Sequence, residues 1–278
     1  MSTSCRARST NTPTVSNTAT IPSTATDLPP GTATPSATST ITPTATPDVT
    51  LPVSEILDGA KINCPTPMSL MLHTAYGPER MEELAQEIID NRLQTLTYTD
   101  LLTYLLEGEC PPENTIIVSL DDLGTNWLRP DFRHMIQVFV EHDLKMVVAV
   151  VTQGPQNTVI WDYLREIDAE GIEIASHTVN HFQLSALNDT AIEDQLHLSH
   201  DIICANMEKC PETIILPFGD GGDDPRVFSA GEGYYIFVIG IQGGLEFGGE
   251  TPFFLGRIPP HNDDQALTIV LLQNTFGP

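Results

Sequence analysis

Two short polar clusters in this sequence could do chemistry. Asp121 and Asp122 follow the apolar run Thr115-Ile-Ile-Val-Ser-Leu120, and His177 and His181 follow Ile172-Glu-Ile-Ala-Ser176. Each run has the length and β-branched content of a buried strand. A spacing of four lets both imidazoles face one way on a helical turn. Two imidazoles and a carboxylate can hold a divalent ion, and the other carboxylate is then left for proton transfer. Together these residue types point to metal-assisted hydrolysis. Either cluster alone says little, since Asp-Asp recurs at Asp223-Asp224 and Asp263-Asp264. The weight lies in both clusters standing at strand ends.

The elements that must position these groups alternate between strand and helix. A strand ends at His73. Residues 78–91 carry a helical stripe of Met81, Leu84, Ala85, Ile88 and Ile89. Thr97 or Thr99 caps a short helix reaching Leu106. Residues 129–142 are helical, with Phe132, Met135, Ile136, Phe139 and Val140 inward. Residues 145–151 open on Lys145 and are then continuously apolar, as in a parallel strand covered on both faces. A helix over 158–170 precedes the strand 172–176, and a longer one over about 189–207 precedes a strand 213–216. Strands near 234–239 and 253–258 follow, then a helix over about 263–273. Repeated βα units allow an open sheet or a closed barrel, and periodicity leaves both open. In either, functional groups gather beyond the carboxyl ends of strands.

The motifs resemble those of the NodB-homology polysaccharide deacetylases. Ser119-Leu120-Asp121-Asp122-Leu123-Gly124 is similar to their Thr/Ser-Phe-Asp-Asp-Gly, and His177-Thr178-Val179-Asn180-His181 to their His-Ser/Thr-x-x-His. Pro217-Phe218-Gly219-Asp220 is similar to their third motif, Ser69-Leu-Met-Leu-His73 to their opening strand, and Leu255-Gly256-Arg257-Ile258 to a late element. The resemblance covers about residues 60–278 and implies an α/β fold, a distorted incomplete (β/α) barrel. It implies that Asp122, His177 and His181 hold a divalent metal (Zn²⁺ foremost, Co²⁺ or Ni²⁺ otherwise) and that Asp121 is the general base. It further implies that the Phe218 backbone N–H faces an oxyanion and that Pro217, Gly219, Asp220 and Arg257 serve substrate binding. Three departures stand out. Leu123 intervenes before Gly124. Ile215 occupies the place of an arginine that orients the base in many members, and Arg257 is a candidate substitute from another strand. The late catalytic-acid motif is not recognisable, and His261 is the nearest candidate.

Residues 1–52 are rich in Thr, Ser and Pro, with TPT at 12–14 and 42–44, and carry no aromatic residue. Such a stretch cannot bury enough apolar surface to offset the entropy of ordering it, so it reads as a disordered linker or stalk ahead of a catalytic domain over 53–278. Residues 1–8 do not form a signal peptide and no apolar run is long enough to span a membrane. The stalk suggests a secreted or cell-surface protein with its signal upstream, and Cys5 suggests a lipid anchor. A net charge of −25 disfavours nucleic acid and anionic membranes. Cys64 and Cys110 each shortly precede a strand, at the same end of a parallel sheet, and Cys204 and Cys210 flank a helix–strand turn. These placements predict Cys64–Cys110 and Cys204–Cys210 bridges. Two function classes stay open: a hydrolase of N-acetyl groups on a glycan such as chitin oligomers, peptidoglycan or exopolysaccharide, and a non-catalytic carbohydrate-binding relative.

Overall fold

The computed structural model describes residues 64, 66–124, 129–153, 158–241 and 253–259. All of them belong to the larger unit of the chain, Pro47–Pro278. The expected stalk, Cys5, His261 and the helix over 263–273 lie outside the described residues.

The elements run β1 (Met68–Leu72), α1 (Pro78–Asp90), β2 (Gln94–Leu96), α2 (Tyr98–Glu107), β3 (Thr115–Leu123), α3 (Pro130–Glu141) and β4 (Val147–Val150). They continue with α4 (Thr158–Ala169), β5 (Glu173–Ser176), α5 (Asp189–Met207), β6 (Thr213–Ile215), α6 (Pro225–Gly231), β7 (Phe237–Ile239) and β8 (Phe253–Leu255). All strand pairs are parallel, in the order β1-β3-β4-β5-β6-β7-β8, with β2 pairing the first residues of β3. The sheet curls until its ends touch. Met71 N–H donates to the Ile258 carbonyl at 3.0 Å, and Ile258 N–H to the Ser69 carbonyl at 2.8 Å. This one bridge, Leu70↔Ile258, joins the segment after β8 to β1 and makes the expected distorted, incomplete barrel.

Strand alternation divides the core. On β3, Ile116, Val118 and Leu120 pack outward with α1, α3 and α4, whereas Ile117 joins the inner cluster with Val147, Ala149, Ala175, Ile215, Phe237, Phe253 and Leu255. Helix α2 plugs the bottom of that interior through Tyr98, Leu101, Leu102 and Leu105. Its start is fixed twice. Thr97 and Asp100 form a capping box, and Glu173 of β5 accepts the Thr99 N–H at 2.9 Å. A third cluster covers β6 and β7 with α5 and α6.

Helix α5 has the expected bounds, and Thr97 rather than Thr99 is the cap of α2. Ile89, assigned to the buried stripe of α1, is 40 % exposed, because the helix meets the sheet along Met81, Leu84, Ala85 and Ile88. Two elements were not expected. Strand β2 is only three residues long and α6 only seven, too short for a periodicity. Both predicted disulfides are present, Cys64–Cys110 and Cys204–Cys210, with Cα separations of 5.3 and 4.2 Å.

Candidate active site

The Asp pair lies within β3 rather than after it, because the strand continues through Leu123. Leu123 takes a helix-facing core position, 1 % exposed, and its carbonyl accepts the Val151 N–H at 2.8 Å. The pairing with β4 is out of step here. Leu120 pairs with Val148 and Leu123 with Val150, so three steps on β3 (123 − 120) face two on β4 (150 − 148). The extra residue makes a bulge. Simple alternation would send Asp121 into the barrel and Asp122 out of it. The bulge, with Asp122 at φ 64°, turns Asp122 back over the barrel mouth.

The His177–His181 segment is not a helical turn, contrary to the reading of its spacing. His177 extends β5 and is 1 % exposed. Thr178 and His181 have φ of 67° and 59°, and His181 N–H donates to Thr178 Oγ1 at 3.1 Å. These left-handed residues fold the loop so that both rings meet, with centroids 4.8 Å apart. Asp122, Thr178, His181 and Phe218 are four of the seven described non-glycine residues at positive φ, so backbone strain concentrates at this site.

Asp122 is the hub. Its Oδ1 lies 2.9 Å from His181 Nε2 and 3.3 Å from His177 Nε2, and its Oδ2 lies 3.8 Å from His73 Nε2. His177 Nδ1–H donates to the Ile215 carbonyl at 2.7 Å. A carbonyl only accepts, so Nδ1 carries the ring proton and Nε2 is turned to the carboxylate. A cation, whether a proton or a metal ion, must then lie between Nε2 and Asp122. One donor atom each from Asp122, His177 and His181 can be chosen so that all lie within 4.8 Å of one another. This N,N,O set fits a divalent metal. Where protons take the cation's place, burial pushes the Asp122 carboxyl up. The hydrogen bonds from His177 and His181, with the charges of His177 and His73, outweigh that and hold it well below the usual carboxylate range.

Asp121 points inward, 2 % exposed. Arg257 Nη1 donates to its two oxygens at 2.7 and 2.8 Å and to Ser119 Oγ at 2.8 Å, while Nε donates to the Gly240 carbonyl at 3.2 Å. Arg257 lies in the seam where the chain after β8 meets β1, so closing the barrel delivers the guanidinium to Asp121.

A cleft of about 300 Å³ opens above these groups, lined by Met71, His73, Asp121, Asp122, His177, His181, Leu216, Phe218 and Ile241. The structure redistributes the residues expected to bind substrate. Arg257 has no side-chain exposure and faces Asp121 instead. Pro217 is buried. Asp220 accepts the Ser185 N–H at 2.7 Å and the Ser185 hydroxyl at 2.8 Å, which ties the Pro217–Gly219 turn to the loop after His181. Gly219 has φ +66°, and a Cβ there would stand 2.7 Å from Ile241. These three residues shape the turn that presents Phe218, whose ring lies edge-on to His181 at 4.6 Å. Sequence reasoning gave no site role to His73, although its position at a strand end was the available signal.

Residues 108–235 match the family model described as polysaccharide deacetylase. YxkH of Bacillus subtilis (strain 168), placed by its name among these deacetylases, is 21 % identical over 151 residues, 54 % of this chain and 53 % of that protein. The chain thus spans about half the length of this curated relative. Among solved structures, the Streptococcus pyogenes deacetylase PplD in complex with acetate has a TM-score of 0.63 at 17 % identity, covering 77 % of this chain and 99 % of that one. IcaB from Ammonifex degensii has a TM-score of 0.63 at 14 % identity, covering 75 % and 97 %. The de-N-acetylase of Aggregatibacter actinomycetemcomitans has 0.61 at 15 %, covering 73 % and 98 %. At such identities the structural likeness speaks for the fold.

Proposed function

We infer that this chain carries a polysaccharide deacetylase domain of the NodB type, matched over residues 108–235, and propose that it is a metal-dependent hydrolase removing N-acetyl groups from a glycan. The observation that carries the reading is the convergence of Asp122, His177 and His181 beside a second, separately held carboxylate, Asp121, on one cleft. A divalent ion held by Asp122, His177 and His181, with Zn²⁺ the best match to the donors, would supply a Lewis acid that polarises the acetamide carbonyl and acidifies a water.

The chain's own groups divide the remaining work. Asp121 accepts the proton of the attacking water, and Arg257 holds its carboxylate in place. The Phe218 N–H, on the turn fixed by Asp220 and Gly219, faces the oxygen that gains negative charge. The C–N bond then breaks, and the leaving amine needs a proton. His73, half-exposed at the cleft rim, is the imidazole placed to donate it. Acetate and a free amine leave. A cleft of about 300 Å³ is sized for one sugar and its acetamide. PplD, solved with acetate, and the named de-N-acetylase support this substrate class. Two disulfides support action outside the cytoplasm.

The competing reading, a carbohydrate-binding relative without turnover, draws on Ile215 standing where many members have arginine and on the unrecognisable late acid motif. Arg257 fills that electrostatic role from the barrel seam, which favours the enzyme. Asp121→Asn tests the assignment. The variant should bind Zn²⁺ like the native protein by calorimetry while acetate release falls by about 10²-fold or more. Parallel loss of metal would make Asp121 a ligand and overturn the division of roles.

A further inference from the structure

A second group of metal-type donors lies at the other end of the barrel. Cys204 sits in the last turn of α5, Glu208 ends that helix at φ 59°, and Cys210 stands just before β6. His200, one helical turn before Cys204, is 8 % exposed. Its ring nitrogens lie 3.5 and 3.8 Å from Cys204 Sγ, and Nδ1 lies 3.3 Å from Asp201 Oδ1. Tyr234 and Tyr235 pack edge-to-face against the imidazole, at 5.2 and 5.5 Å, and fix its orientation toward the sulfurs. One donor atom each from His200, Cys204 and Cys210 lies within 4.8 Å of the others.

A buried imidazole turned to two sulfurs is more than a disulfide needs. We propose that this corner is a redox-gated metal site: a Cys204–Cys210 disulfide when oxidised, and a Zn²⁺ site of His200, Cys204 and Cys210 when reduced. The balance is simple. A dithiol reductant gives two electrons and two protons to the disulfide and becomes a disulfide itself. The two thiols then lose their protons to solvent as the sulfurs bind the ion, and His200 gives a nitrogen lone pair. Soft sulfur with one imidazole suits Zn²⁺ or Co²⁺. Either state closes the turn between α5 and β6. The inference is independent of the cleft's chemistry, since the cleft lies at the carboxyl ends of the strands and this corner lies where β6 begins.

The test uses the full chain carrying His181→Ala, which takes an imidazole from the cleft, with Co²⁺ as the probe. A near-ultraviolet sulfur-to-cobalt charge-transfer band should appear after phosphine reduction and not before. It should vanish in Cys204→Ser and in Cys210→Ser and persist in Cys64→Ser. No band on reduction, or a band surviving in Cys204→Ser, overturns the proposal. A measurement without cysteine variants guards against misfolding. Zn²⁺ should raise the Tm of the reduced His181→Ala chain, as a ligand of the folded state must, and leave the oxidised one unchanged. An equal response in both states also overturns it.

Discussion

Asp121 and Arg257 form an ion pair with almost no access to water, 2 % and 0 % exposed at the side chain. Removing charges from water is costly, and the pair holds because Nη1 meets both carboxylate oxygens and Ser119 while Nε donates to Gly240, with Nη2 left buried without a hydrogen-bond partner. Breaking such a pair from one side leaves an uncompensated buried charge. Arg257→Met should therefore destabilise the fold by about 3–5 kcal/mol, read as a lower urea midpoint, and acetate release should fall where the variant is still folded. A variant as stable and active as the native protein would show that the guanidinium neither supports nor orients Asp121. At this scale the sequence was legible in residue types. The Asp pair, both histidines and the Pro-Phe-Gly turn are brought together as their strand-end positions implied. The sequence names Arg257 as a candidate substitute for the missing arginine, and its pairing with Asp121 agrees with that, although the seam it reaches across leaves no local pattern.

At the scale of elements, apolar runs and stripes located most strands and helices, since burial on one or both faces leaves a periodic trace. The bulge in β3 left none: one extra residue in a pairing depends on the neighbouring strand, and it is what brings Asp122 over the cleft. The His loop was misread for a related reason. A spacing of four is helical only when the backbone is, and Thr178 and His181 are left-handed. Strand β5 also carries a carboxyl at its buried end. Burial pushes Glu173 above its ordinary value of 4.5, against the hydrogen bond from the Thr99 N–H, and Glu212 nearby is raised by burial and by the Glu173 charge. The fold therefore binds the Glu173 proton more tightly than the unfolded chain does. Its contribution to stability is complete below 4.5 and is lost as pH rises through the raised folded value. Glu173→Gln should gain stability relative to the native protein as pH climbs above that point, while keeping an acceptor for Thr99. Urea midpoints across that range check it, and parallel curves for the two proteins would contradict it.

For the whole molecule, two disulfides staple the start and the middle of the barrel. Cys64–Cys110 spans 46 residues and Cys204–Cys210 spans six. On loop-closure entropy the first should contribute about 4 kcal/mol and the second about 2 kcal/mol. Denaturation of Cys64→Ser/Cys110→Ser should thus show a larger loss than that of Cys204→Ser/Cys210→Ser, and the reverse order would contradict the entropic account. Among the described residues no helix is long and apolar enough to cross a membrane. The net charge of −25 would suit the cationic amines that the proposed reaction frees. The central claim is that a divalent ion held by Asp122, His177 and His181 makes this fold a deacetylase. The most direct measurement is acetate released from an N-acetylated glycan panel by the full chain after chelation and after return of Zn²⁺ or Co²⁺. The account predicts no release from the chelated protein and recovery on metal return, with no release in either condition from His177→Ala. Equal release with and without metal, or glycan binding by the loaded protein with no acetate formed, would contradict it.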